Sequence, residues 1–170
     1  LVGEAVADFR GEASEPEPEM KIELAVDAHL PTDYVESERL RLEMYKRLAS
    51  VREESELDAV RAELLDRYGP LPEPVENLFA VTRFRMLCRS VGITEVLSAG
   101  TMIRFSPAVL PESRDLRRQR LYPGSRVNRQ THQLFLPRPM TAPIAGQPIK
   151  DAALLEWATL AATALFVPEG

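Results

Sequence analysis

Residues 42–79 read LEMYKRLASVREESELDAVRAELLDRYGPLPEPVENLF, and their apolar spacing decides the fold. Leu57, Val60, Leu64 and Tyr68 recur at intervals of three and four, one face of a helix. Ser55, with Asp58 three residues on, predicts its start as a capping box, and Gly69-Pro70 predicts its end. Upstream, Leu40, Met44, Leu48 and Val51 mark a first helix starting near Ser37, with Glu36 and Glu38 at its positive end. Downstream, Pro74 suits a first helical position, and a third helix runs from there to Gly92. That helix has two stripes: Val75, Leu78, Phe79, Thr82 and Met86 on one side, Val81, Phe84, Cys88 and Val91 on the other. A helix apolar on two sides belongs in the centre.

Outward from this block the period changes. Residues 22–28 (IELAVDA) alternate apolar and polar, which predicts a half-buried strand broken by Leu30-Pro31. Residues 93–98 and 101–105 predict two strands in a hairpin turned at Ala99-Gly100. A short helix over 111–122, a strand over 132–136, a proline-rich loop over 137–148 and a closing helix over 149–166 complete the reading. The fold class is therefore α+β: a three-helix front packed with a small mixed β-sheet and a C-terminal helix.

Residues 1–11 have Val2, Ala5, Val6 and Phe9 at helical spacing, and read as the end of a preceding module. Residues 12–19 (EASEPEPE) combine proline with like charge and read as an extended linker. The domain proper is then 20–170. The absence of an initial Met reads as a piece of a longer protein.

Composition sets limits. The 170 residues are 45% hydrophobic and 28% charged, with 14 prolines and one cysteine. One cysteine excludes an internal disulfide framework and a cysteine-rich zinc site, and suits a reducing, cytoplasmic setting. Cys88 lies in an apolar helical run and reads as a buried small hydrophobe. No apolar run approaches the roughly 20 residues of a membrane span. Phosphate-binding loops, dinucleotide fingerprints and nucleophile triads have no local signature here, so neither catalysis nor a cofactor is expected. His29 and His132 are far apart and read as surface or loop residues.

The net charge of −5 is unevenly spread: residues 1–76 carry −11 and residues 77–170 carry +6. Two charged features follow. At 100° per residue, Ala59, Ala62, Glu63 and Asp66 fall about 140–240° from the core stripe of their helix. Two acids three residues apart are surface neighbours and suit arginines of a partner. The alternative is a solvated face on which Glu63 bonds Arg67 one turn on. The second feature is the run 114–129, with Arg114, Arg117, Arg118, Arg120, Arg126 and Arg129. It suits nucleic-acid phosphates, or else an internally paired face.

Several pieces of this sequence carry a resemblance: YKRLA (45–49), ELLDRYGPLP (63–72), IELAVDAHLPTDYV (22–35) and LCRSVGI (87–93). Over residues 20–106 the chain resembles the C-terminal domain of bacterial transcription-repair coupling factors, the Mfd family. The match fades from 107 to 150, where the proline-rich loop reads as a lineage-specific insertion. The resemblance implies a regulatory domain of an ATP-driven DNA translocase that displaces stalled RNA polymerase and recruits UvrA. The ATPase motifs would lie in other domains. The resemblance further implies that this domain packs on a UvrB-like N-terminal module of the same protein and hides its UvrA-binding surface. The family's acidic contacts carry over onto Glu63 and Asp66. Two alternatives stay open: an accessory nucleic-acid-binding domain using 114–129, and a self-association module whose exposed faces pair with a second copy.

Overall fold

The computed structural model describes residues 19–168. The helix expected over 1–11 and all but the last residue of the expected linker lie outside them. The three front helices are α1 (Glu38–Ala49), α2 (Glu54–Tyr68) and α3 (Glu73–Val91). Ser37 caps α1 as predicted, its Oγ accepting from the Leu40 N–H at 3.2 Å. The start of α2 differs from the reading. Glu53, not Ser55, stands at the N-cap, and Glu56 Oε1 accepts from the N–H groups of Arg52 (2.6 Å) and Glu53 (3.0 Å). A carboxylate reaching back satisfies two otherwise orphaned donors, and Ser55 is already inside the helix. Gly92 ends α3 at φ +83°, a left-handed conformation that glycine adopts without a Cβ penalty.

The sheet has five strands: β1 (Lys21–Glu23), β2 (Glu95–Ala99), β3 (Met102–Ser106), β4 (Arg126–Asn128) and β5 (Gln133–Pro137). Their order is β1-β2-β3-β5-β4, with β1 parallel to β2 and the other pairs antiparallel. The expected strand over 22–28 is therefore cut to three residues. Beyond Glu23 the alternation persists, with Leu24 and Val26 packed inward, but the backbone leaves the ladder. It is drawn to the start of the last helix, α5 (Asp151–Phe166). The Asp151 N–H donates to Ala25 O at 2.9 Å, and Asp151 Oδ1 accepts from the Asp27 N–H at 2.8 Å. Buried Asn77 donates its Nδ2 to Asp27 O at 3.0 Å and so is satisfied. The strand β4 was not expected; three residues (RVN) are too few to show a period.

Helix α3 joins two cores. Val75 and Phe79 pack with Leu48, Leu57, Val60 and Leu64 in the front. Phe84 and Cys88 pack with Val96, Phe105, Leu134 and α5 in the back. The two stripes read on this helix are these two contacts. Helix α4 (Glu112–Leu121) lies against the end of α5, whose last turn has no basic residue. Two arginines of α4 supply what is missing. Arg114 Nη1 donates to Phe166 O at 3.1 Å and Arg117 Nη1 to Ala164 O at 2.8 Å. Cations at exposed carbonyls complement the negative helix end.

Candidate partner-binding site

Helix α2 is fixed by its buried side. Leu57 and Leu64 are 0% exposed and Val60 is 2% exposed. The opposite side presents Ala59, Ala62 and Asp66 to solvent, with Glu63 half-exposed beside them. Both acids therefore stand where 100° periodicity put them. Leu65, 51% exposed, adds an apolar flank outside the core stripe. It sits one residue beyond Leu64, about 100° round the helix, which is the signal that could have found it.

Glu63 has two arginine neighbours. Its Oε1 accepts from Arg47 Nη1 of α1 at 2.6 Å, and its Oε2 accepts from Arg67 Nη1 at 3.4 Å. The Arg67 pair is the one the solvated-face alternative anticipated; the Arg47 pair spans two helices and has no local signature. Hydrogen bonding from Arg47, ahead of the weaker Arg67 contact, holds the Glu63 carboxyl below its usual range. Asp66 makes no ion pair among the described residues. The patch is thus one tethered carboxylate and one open carboxylate on a low-relief face. Exposed ion pairs contribute about 0–1 kcal/mol, so a partner arginine can replace Arg67 at small cost.

The arginine run is largely consumed inside the fold. Arg114 and Arg117 hold the end of α5. Arg118, 8% exposed, bonds Asp115 through Nε at 2.9 Å and Ser125 through Nη1. Arg129 Nη2 reaches Asp115 at 3.2 Å. What remains outward is narrower than the sequence suggested.

His29 is exposed and contacts Asp27 at 2.8 Å, and His132 is exposed in a loop. No group of three or more metal-ligating side chains occurs among the described residues. Cys88 is buried, and burial pushes its thiol up to about 12, so it is a packing residue rather than a nucleophile. No helix among the described residues is long and apolar enough to cross a membrane.

The family model of the TRCF domain matches residues 24–114, just over half of the chain. The chain belongs to the TRCF domain family. The match takes in α1, α2 and α3, and with them both acids of the patch. The chain is 42% identical to the transcription-repair-coupling factor of Mycobacterium tuberculosis over 178 aligned positions, 97% of this chain and 14% of the relative. It is 37% identical to that of Escherichia coli over 76 positions, 45% of this chain and 7% of the relative. The TRCF domain therefore spans a small part of the curated relatives it matches. The Mycobacterium alignment also runs through 107–150, the region where the resemblance faded. A crystal structure described as the C-terminal domain of transcription-repair coupling factor superposes with a TM-score of 0.67 at 17% identity. It covers 89% of this chain and 94% of that one, so the α+β fold is that of the solved domain.

Proposed function

We propose that this TRCF domain is a non-catalytic autoinhibitory clamp within a transcription-repair coupling factor. In this reading it docks on the UvrB-like N-terminal module of the same protein and covers the surface that recruits UvrA. RNA polymerase, ATP and the duplex that the motor travels on are handled by other domains, in the cytoplasm. The observation that carries the reading is the placement of Glu63 and Asp66. They stand side by side on the solvent face of a helix whose other side is rigidly buried. Nothing in the core needs them there.

The energetics suit a switch. A tethered domain meets its docking site at an effective concentration of about 1 mM. An intrinsic affinity of only about 10 μM would hold the closed state near 100:1, and a modest bias would open it. Removing an acid that neutralises a desolvated partner arginine costs about 2–5 kcal/mol, enough to open such a clamp.

The test is calorimetric titration of the chain against the separate UvrB-like module. Wild type should bind in the micromolar range, and the Glu63→Ala/Asp66→Ala pair should bind at least about 30-fold more weakly. The double variant should keep wild-type unfolding within about 1 kcal/mol, because it loses only exposed contacts. Equal binding by both proteins would move the docking surface elsewhere. A melted variant would refute the exposed-face assignment.

A further inference from the structure

The outer face of the sheet ends in a cleft that the clamp does not use. It lies beside β4 and holds about 610 Å³, lined by Arg118, Ser125, Arg126, Asn128, Arg129 and Phe135, with Val127 below. Three arginines converge on it, and one carboxylate, Asp115, answers them. Arg118 forms the base. Its side chain is 10% exposed; Nε is spent on Asp115 and Nη1 on Ser125, while Nη2 has no acceptor among the described residues. Arg129 is 69% exposed at its side chain and only tethered, by Nη2 at 3.2 Å. Arg126 is exposed, and its guanidinium lies over the Phe135 ring, 5.2 Å from the centroid.

The register explains why an aromatic faces outward here. Leu134 and Leu136 point into the core, so Phe135 must take the other side. There it is paired across the sheet with Arg104 on β3 and Arg126 on β4. Arg104 gives Nη2 to Glu95 at 2.8 Å, but its buried Nε has no partner. Among the described residues β4 is an edge strand, paired only with β5.

We propose that this cleft binds the phosphodiester backbone of a single-stranded nucleic acid. Arg118 Nη2, Arg126 and Arg129 would hold phosphate oxygens, and Phe135 with the Arg126 plane would stack a base. A net charge of +2 around a polar cleft suits an anion. The aromatic–arginine pair on the outward side of β5 favours an unpaired base over an acidic peptide. The site is distant in sequence from Glu63 and Asp66 and stands or falls apart from the clamp.

The test is fluorescence anisotropy of the 170-residue chain with a labelled oligothymidylate of about 12 nucleotides at low salt. Saturable binding is expected, with the logarithm of affinity falling by about 2 per decade of salt, the slope of three phosphate contacts. Arg126→Ala/Arg129→Ala should weaken binding at least about tenfold and bring the slope near 0.7. Both substituted residues are exposed, so circular dichroism should be unchanged. Absence of saturable binding, indifference to the double change, or tighter binding of an oligoglutamate of equal length would each overturn the proposal. Competition by inorganic phosphate at millimolar concentration would support the oxyanion contacts, and failure of phosphate to compete would count against them.

Discussion

Phe79→Ala is expected to cost about 3–5 kcal/mol, a large share of the roughly 5–15 kcal/mol that holds an ordinary domain together. The ring is 1% exposed and sits in the front core with Leu64 and Val75, so truncation leaves a cavity that rigid helices cannot close. It also removes the surface under Arg61, whose guanidinium lies 5.7 Å from the ring centroid while its fork grips Glu76 at 2.7 and 2.8 Å. Because α3 serves both cores, loss of the front should be felt in the back, and urea should still unfold the variant in one transition. At a slope of about 2 kcal/mol per molar, the midpoint should fall by about 2 M. Leu160→Ala, at a position 63% exposed, should stay within about 0.5 kcal/mol of wild type. A shift under about 0.5 M for Phe79→Ala would contradict this account of the front core.

Asp115→Ala should cost nearly as much, about 3–5 kcal/mol, through charge rather than volume. Asp115 accepts from Arg118 Nε at 2.9 Å, Gln119 Nε2 at 3.2 Å and Arg129 Nη2 at 3.2 Å, and both it and Arg118 are buried. Without the carboxylate, the Arg118 cation is left in the fold with only Ser125 to meet it. Hydrogen bonding from Arg118, outweighing the burial penalty, holds the Asp115 carboxyl below its ordinary value. A depressed carboxylate stabilises the fold above its unfolded value of about 3.9, and that contribution disappears as pH falls through the folded value. The difference between wild type and variant should therefore be constant from about pH 5 to 8 and shrink below about pH 4. Arg118→Met in the same chain should recover much of the loss, since a neutral side chain no longer needs a counter-charge. Denaturant melts across that pH range check all three statements. A flat difference down to pH 2 would show that the carboxylate's charge is not what matters.

The helical front was legible because its punctuation is local. Ser37 caps through a hydroxyl three residues from its donor, and Gly92 turns left-handed at the helix end. The stripe residues Leu57, Val60 and Leu64 are buried as their spacing required. The acids Glu63 and Asp66 were placed outward by the same periodicity. What was not legible depends on contacts far along the chain. Strand β1 stops at Glu23 because Asp151, more than a hundred residues away, takes the backbone at Ala25 and Asp27. Arg114 and Arg117 cap α5 from 52 and 47 residues away, so a run that reads as a phosphate ladder is partly a helix cap. Arg126 and Phe135 meet only because β4 and β5 pair in one register. Within the patch, Glu63 is tied to Arg47 across a helix boundary, which no single-helix period reveals.

In the proposed clamp this domain hides the UvrA-recruiting surface. The direct measurement is UvrA binding to the separate UvrB-like module, with the TRCF domain added as competitor. The account predicts that wild type lowers the apparent affinity for UvrA in proportion to its concentration, while Glu63→Ala/Asp66→Ala leaves that affinity unchanged. UvrA and the TRCF domain binding the module together, with neither weakening the other, would contradict it.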